Sequence, residues 1–360
     1  MAGIVYSASA GLNDAKLGKL VTPLRAAIEF ESDLHKKADE LLDVLYNVEK
    51  SNRFGETIQY QDEFGTFEHA PEGARAANDS IVETRRKFIE HIPFMKEFTI
   101  TKQMLDDANW GPSSDMKRRA QLFTRAYYAT RIDLATKALV NAVGSTTKIT
   151  YNGAVVDLTC ADGLALFNKN HLYGSEAGHG QGTQSNHLFS KRAASADISV
   201  EEVLEMIEAG AMQIRNMKDE NGEVTGYTAD TIIIPGNLRK LERAVKQALG
   251  SEYNPGDSTN AINVQCGNWR LVVLPKWQAK LSDAQEYPMI IQSSEAKRNL
   301  DGSMFFNRVD LDIKDYIDEG TRNWNWNGYC RFGLGFPTYK HIVRVKSVAS
   351  TETPSDADAI

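Results

Sequence analysis

Three histidines, His171, His179 and His187, recur at intervals of eight in a segment rich in Gly, Asn, Ser and Thr. Imidazole is a common metal ligand, but a zinc site needs a spacing that fixes geometry, such as two histidines four apart on a helix. An interval of eight in a loop fixes none, so the three read as exposed loop residues. Gly178-His179-Gly180-Gln181-Gly182 has the small residues of a phosphate-cradling loop. It lacks the Gly-Lys-Ser/Thr ending and the strand-to-helix setting that such a loop requires. Neither G-x-S-x-G nor S-x-x-K is read at a strand-to-helix turn, and plentiful Ser and Asp do not make a triad. Cys160, Cys266 and Cys330 are too widely spaced for a disulfide framework or a zinc ribbon and read as reduced, small residues. No catalytic, cofactor-binding or metal-binding residue is assigned. A cytosolic metal-dependent hydrolase built on the three histidines is a distant alternative.

The elements that would carry any site are unusual. From Pro23 to about Val48, Leu24, Ile28, Leu34, Ala38, Leu41 and Leu45 recur at helical spacing. From Phe54 to Asp79 short strand-like runs alternate with Gly55, Gly65, Pro71 and Gly73. Phe88, Ile92, Phe94, Phe98 and Ile100 then share even positions, the period of a strand with one buried face. The whole reads as a long two-stranded excursion, which is marginal in water without something to lie on. Thr101 is placed to cap a short helix with Met104 and Leu105. A helix of about thirty residues then runs from Ser113 to Val143, with Gly144 to end it. It carries two apolar stripes, Met116, Ala120, Phe123, Tyr127, Leu134, Ala138 and Tyr128, Ile132, Ala135, Leu139, Ala142.

A compact α/β region follows. Ser199 and Glu202 form a capping box. The strand Thr231–Ile234 leads through Pro235-Gly236-Asn237 to a helix, and Trp269–Leu274 forms a second apolar strand. Such continuous apolar strands are expected in the middle of a sheet. The last third alternates at Val309–Lys314, Tyr329–Phe336 and Tyr339–Lys346, and the Trp324-Asn325-Trp326-Asn327 cluster reads as turn packing. Residues 1–20 and the small, acidic 347–360 are expected to be flexible.

Composition narrows the class. The chain has 360 residues, 42% of them hydrophobic and 25% charged, with a formal net charge of -7. That excludes a global basic footprint for nucleic acid. No apolar run of 18 residues and no signal-peptide pattern is present, so no membrane span is expected and a reducing cytoplasm is the expected setting. Arg85-Arg86-Lys87 and Lys117-Arg118-Arg119 are either solvated faces or partners for acidic patches on another copy, such as Glu201-Glu202 or Asp310–Asp312. Glu68, Arg85, Arg86, Lys87, Glu201 and Glu202 are taken as inter-subunit contact candidates.

In their order these segments resemble phage major capsid proteins of the Hong Kong 97-like fold, and more narrowly the Mu-like major head subunits. The resemblance is carried by Ala70-Pro71-Glu72-Gly73, by Phe94–Thr101 with Gln103–Ala108, and by the long helix. Its narrowest marker is Asp162-Gly163-Leu164-Ala165-Leu166-Phe167-Asn168-Lys169-Asn170-His171 followed by Ser185-Asn186, similar to that group's D-G-x-x-L-F…H…S-N block. Ile232–Pro235 and Trp269–Pro275 resemble its axial core. The resemblance implies an α+β subunit with an N-terminal arm (1–53), an extended loop (54–100) and a peripheral domain (101–159 and 306–346) holding the spine helix 113–143. An axial domain (160–305) and a flexible acidic tail (347–360) complete it. It also implies a non-enzymatic homo-oligomer of pentamers and hexamers forming an icosahedral shell around double-stranded DNA. Portal, scaffold or decoration proteins would be its partners, with no cofactor and no membrane. An encapsulin-like compartment shell is the alternative with the same fold.

Overall fold

A computed structural model of the chain describes residues 4–6, 15–61, 69, 71–73, 75, 83–107, 114–174, 182–192, 197–220, 222–253, 262–279 and 286–349. In chain order the elements begin with β1 (Ile4–Tyr6), α1 (Ala15–Leu34), α2 (Lys36–Leu45), β2 (Asn47–Lys50), β3 (Gly55–Gln61), β4 (Glu83–Glu90) and β5 (Ile92–Ile100). Next come α3 (Lys102–Asp107), α4 (Ser114–Asn141), β6 (Lys148–Tyr151), β7 (Ala154–Asp157), β8 (His171–Tyr173), β9 (Gly182–Gln184) and β10 (His187–Arg192). The remainder are α5 (Val200–Arg215), β11 (Thr231–Pro235), α6 (Arg239–Gly250), β12 (Arg270–Leu274), β13 (Tyr287–Gln292), α7 (Ser294–Asn299), β14 (Met304–Ile317), β15 (Trp324–Gly335) and β16 (Ile342–Ala349). They form two compact units: Met1–Glu56, Ile89–Ala135 and Phe305–Leu334 in the first, and Thr57–Phe88, Thr136–Met304 and Gly335–Ile360 in the second. No helix among the described residues is long and apolar enough to cross a membrane.

The first unit is built on a sheet in the order β1-β14-β15-β5, with β2 also paired to β14. Antiparallel register sets Phe98 opposite Trp326 and Phe94 opposite Cys330. The Phe98 and Trp326 rings stack at 5.8 Å, and Phe94 stacks on Phe332 at 4.9 Å. Trp324 and Trp326, expected in a turn, lie in β15 and are fully buried. The first residues are not simply loose: Ile4–Tyr6 pairs in parallel with Leu311–Ile313.

The expected helix from Pro23 to Val48 is two helices. α1 begins at Ala15 and holds Pro23 in its interior, where the ring removes a backbone donor. Leu20, Leu24 and Ile28 are all buried, and packing of that face maintains the helix despite the proline. The chain breaks at His35, where φ is -94° and ψ is 8°, and restarts as α2. The break shifts the phase of the apolar stripe. Leu34 is 58% exposed, whereas Leu42, Val44 and Leu45 are buried. Both helices hold to α4 within this unit: the Arg125 guanidinium lies 2.8 Å from Glu31, buried Arg131 2.5 Å from Asp39, and the Tyr46 hydroxyl donates to the Ala135 carbonyl at 2.8 Å. α4 has 28 residues, about 42 Å at the usual rise. Both expected stripes are buried except Ile132, which is half-buried.

The even-position strand is also two strands, β4 and β5, separated at His91. Phase changes there. In β4 Lys87 and Ile89 are buried and Phe88 is exposed, the reverse of the expected face. β4 pairs with β3 in a two-stranded sheet, while β5 belongs to the five-stranded sheet of the first unit.

The second unit is built on a sheet in the order β10-β16-β13-β11-β12. β11 and β13 are buried at every residue. β12, expected in the middle, is the edge strand, with burial that alternates along it. β16 is interior, and every residue from Ile342 to Val348 is buried, Arg344 and Lys346 included. It therefore extends into the stretch expected to be a flexible tail, and residues 350–360 lie outside the described residues. α5 approaches the sheet closely at Gly210, where an added Cβ would meet Ile291 Cδ1 at 2.3 Å. Its cap is the expected one: Ser199 Oγ accepts from the Glu202 amide at 3.1 Å. The Glu202 carboxylate does not complete the box and instead accepts from the Ser347 hydroxyl.

Two buried histidines make this unit sensitive to acid. Burial first, then the charge on Lys297, lowers His341 to about 3. Its Nε2 accepts from the Ser303 amide at 3.2 Å, which fixes the neutral form. Burial first, then Arg344, Lys169 and Lys346, lowers His187 to about 3. Each folded value lies below the unfolded one, about 6.5. The unfolded chain therefore binds protons that the folded chain refuses. This stability is fully present above pH ~6.5 and is lost as pH falls toward ~3. Urea unfolding is expected to lose about 1.4 kcal/mol per pH unit per ring across that window. His341→Gln should remove one ring's share of the slope, and an unchanged slope would refute the assignment.

Candidate functional site

The block singled out from the sequence, Asp162–His171 with Ser185-Asn186, closes on itself as a buried polar node in the second unit. Asp162 starts a tight turn: its Oδ1 accepts from the Leu164 amide at 3.1 Å, and Gly163 between them has φ +82°. That positive φ suits a residue without a Cβ. The turn directs Leu166 and Phe167 into the core, both fully buried. Phe167 joins the residues after α4, donating to the Ala142 carbonyl at 2.8 Å and accepting from the Gly144 amide at 2.8 Å. Asn168 adds a side-chain bond to the Gly144 carbonyl at 3.1 Å.

His171 returns to the turn. Its Nδ1 lies 2.6 Å from Asp162 Oδ2 and its Nε2 3.0 Å from the Leu166 carbonyl. A carbonyl only accepts, so Nε2 carries a proton, and one further proton lies between Nδ1 and the carboxyl group. The Tyr339 ring stacks on the imidazole at 3.8 Å and 8°. The tyrosine hydroxyl donates to the Leu172 carbonyl at 3.1 Å and accepts from Gln184 Nε2 at 2.7 Å.

Asn186 ties the block to β16. Its Nδ2 donates to the Leu166 carbonyl at 2.6 Å and to the Ile342 carbonyl at 3.3 Å. Its Oδ1 accepts from the Asn168 amide at 2.9 Å, and its own carbonyl accepts from the Arg344 amide at 2.8 Å. The side chains of His171 and Asp162 are 0% and 2% exposed. A site so enclosed, with both imidazole nitrogens already bonded, offers no open position to a substrate or an ion. Its chemistry is that of a joint.

Two of the three histidines expected to be exposed are thus buried. His171 is in the node, and His187 pairs in register with Arg344. His179 lies outside the described residues. The burial follows from partners distant in sequence, Tyr339 and Arg344, which spacing does not reveal. No group of three or more metal-ligating side chains occurs among the described residues. A Ser-x-x-Lys spacing does exist at a strand-to-helix junction, Ser294–Lys297 in the first turn of α7 directly after β13. The Ser294 hydroxyl donates to Asp230 at 3.0 Å, and Lys297 is buried. The free cysteines Cys160 and Cys330 are also buried, and burial pushes Cys330 up to about 12.

The charged candidates fall into different settings. Arg85 donates to the Leu172 carbonyl at 2.8 Å and the Gly174 carbonyl at 3.3 Å. Lys87 is buried and donates to Asp157 at 2.7 Å and Thr159 Oγ1 at 2.8 Å. Burial acts to raise the Asp157 carboxyl, but bonds from Lys87 and Thr159 hold it below the usual range. Arg86 and Glu201 are exposed, and Glu202 is engaged with Ser347. Glu68 lies outside the described residues. Sequence reasoning missed the buried cations of the β16 region: Lys340 lies 3.1 Å from Glu220, and Lys346 2.5 Å from Glu286. Their acidic partners were the only available signal, and nothing in the spacing links them.

Asn186→Leu keeps the branched shape of the side chain and removes its three bonds. The Leu166 carbonyl retains its bond from His171, while the Ile342 carbonyl and the half-buried Asn168 amide lose the side chain as a partner, each worth about 1–3 kcal/mol. A loss of about 2 kcal/mol or more in urea unfolding is expected. A loss below about 1 kcal/mol would show that the node is not a joint.

No family model matches the sequence, and no curated protein matches it. Solved structures do resemble it. A chain of Mycobacterium phage Patience superposes with a TM-score of 0.51 and 10% identity, covering 100% of this chain and 96% of that chain. The capsid structure of the cyanophage P-SCSP1u gives a TM-score of 0.50 and 10% identity, covering 86% of this chain and 87% of that chain. Identity this low carries the architecture alone: the chain has the phage major capsid protein fold, the Hong Kong 97-like one that its ordered segments imply.

Proposed function

We propose that the protein is the major capsid subunit of a tailed phage or prophage. Copies assemble in the host cytoplasm into pentamers and hexamers, which close into an icosahedral shell around double-stranded DNA. The observation that carries this reading is the fold likeness to a capsid chain across 86% of the residues. The surface supports it. Phe30 and Leu34, on one face of α1, are 60% and 58% exposed, and exposed apolar side chains that lie together are usually covered by something. The extended loop (54–100) lies over a neighbouring copy in this reading, with 101–159 and 306–346 forming the peripheral domain and 160–305 the axial domain. Portal, scaffold or decoration proteins complete the particle. The net charge of -7 limits the grip of the inner wall on packaged phosphate.

Negative-stain microscopy of the protein, purified alone and coexpressed with its genomic neighbours, tests the proposal. Closed shells or regular capsomers enclosing nuclease-protected double-stranded DNA are expected. A monomer that assembles in neither preparation overturns it. Shells filled with an enzyme instead of DNA assign the chain to an encapsulin-like compartment.

Within the shell, Glu68, Arg85, Arg86, Lys87, Glu201 and Glu202 are the proposed contact positions. Arg86 and Glu201 are the exposed ones among those described. Glu201→Lys is expected to lower the assembled fraction several-fold at low salt and to leave the unfolding midpoint within about 1 °C, as for a rim charge. Unchanged assembly removes Glu201 from the interface.

A further inference from the structure

The outer face of α6 is cationic and only partly neutralised. Arg239, Lys240, Arg243 and Lys246 are all exposed, while Leu241, Ala244, Val245 and Ala248 face the core. Lys240 is bonded to Asp197 at 2.7 Å and Lys246 to Glu242 at 2.5 Å. Arg239 and Arg243 have no acidic partner among the described residues. A shallow cleft of ≈ 330 Å³ runs along the face, lined by Arg239, Glu242, Arg243, Lys246 and Gln247.

Sheet topology brings one acidic segment to this face. β16 is antiparallel to β13, and β13 is antiparallel to β11, so β16 and β11 run the same way. Ile342 and Thr231 both lie opposite Gln292 and are therefore level. Five residues on from each, Ser347 and Gly236 are level too. The chain thus leaves β16 at Ala349 from the same end of the sheet at which α6 begins, two strand spacings or about 10 Å away across the sheet. The residues after Ala349 are Ser350-Thr351-Glu352-Thr353-Pro354-Ser355-Asp356-Ala357-Asp358-Ala359-Ile360, which contain three acids and no Lys or Arg. An extended chain covers at most ~3.6 Å per residue. Glu352, three residues past Ala349, reaches about 10 Å, and Asp358, nine residues past it, about 30 Å. Arg239 and Lys246 are seven residues apart, roughly 10 Å along the helix axis. The three acids can therefore span the cationic face. Glu201 and Glu202, on the first turn of the neighbouring α5, repel the segment from the other helix at this end of the sheet.

We infer that residues 351–358 of the chain dock on the outer face of its own α6, with Arg239 and Arg243 as the principal partners. The segment supplies the counter-charge that the helix lacks. It occupies this cationic face and so keeps other polyanions from it. The contact is exposed, so salt weakens it.

A nitroxide at Ser355→Cys in the full chain, with Cys266→Ala to suppress background labelling, reports the docking by electron paramagnetic resonance. A slow-tumbling component is expected at low salt. It should fall roughly fivefold or more at about 0.5 M salt, where the Debye length is ~4 Å. It should fall as far in Arg239→Gln/Arg243→Gln at low salt, with the unfolding midpoint of that variant as the check on folding. A fast spectrum in both salts overturns the inference, as does a slow component that ignores the two arginines. Labelled Arg239→Gln/Arg243→Gln chains are then mixed with unlabelled chains that retain both arginines. Recovery of the slow component would place the segment on a neighbouring copy and overturn docking within one chain.

Discussion

Asn186 holds three stretches of the second unit together with one side chain. Its amide group reaches the Leu166 and Ile342 carbonyls, and its carbonyl oxygen receives the Asn168 amide. Through those three positions the Asp162 turn, the residues after α4 and the interior strand β16 are joined in one polar network. The network lies out of water, so each of its groups must be satisfied inside the chain. This explains why a block with so much polar and catalytic-looking content, two carboxamides, a histidine and an aspartate, does no chemistry. Every polar atom that could act on a substrate is already engaged in holding the joint. Tyr339 closes the last face of the imidazole by stacking, and its hydroxyl returns the contact to the backbone at Leu172.

β16 carries a second constraint. Three cations in seven residues, Lys340, Arg344 and Lys346, are buried beside or within an interior strand. Replacing such ions by apolar residues of equal volume is often neutral or stabilising, so they are not there for stability as such. What they fix is register. Arg344 lies on the face shared with Ile290 and His187, and Lys346 on the face shared with Pro288. A slip of one residue would reverse every side chain of the strand. It would place both cations against α5, where Gly210 leaves no room beside Ile291 and Val345. Apolar pattern alone would not prevent that slip, because Val343 and Val345 on one face resemble Ile342 and Val348 on the other. The neutral histidines belong to the same constraint. His187 sits among Arg344, Lys169 and Lys346, and a proton on it would add a fourth charge to the cluster.

Local signals were legible in the sequence where they were local in space. The α4 stripes, the Ser199 cap, the apolar β11 and the D-G-x-x-L-F turn all depend on neighbours within a few residues, and their spacing reports them. Breaks in phase were not legible. Leu24 to Leu45 reads as one stripe because nothing in the side chains marks His35 as a stop. Pro23 reads as a helix start although α1 continues through it. At His91 the strand pattern changes face for the same reason. Position within a sheet was illegible as well: β11 and β12 look alike in composition, yet one is interior and the other an edge. The histidines are the clearest case. The settings of His171 and His187 are decided by Tyr339 and Arg344, more than a hundred residues away, and that of His341 by Lys297, with β14 and β15 between them in the chain.

α1 also carries surface. Phe30 and Leu34, four residues apart and so on one helical face, are 60% and 58% exposed. On the opposite side α1 is fully engaged, with Leu20, Leu24 and Ile28 buried and Glu31 bonded to Arg125. An amphipathic helix satisfied on one face by its own chain has no internal use for a second apolar face. In a free subunit that pair is a liability, since water must cover it. In the proposed shell the same pair gains a use, because every copy offers it in an identical setting and closed symmetry repeats whatever contact it makes. α1 therefore has two distinct surfaces, one fixed to α4 by the Glu31–Arg125 pair and one left apolar, on opposite sides of the same helix.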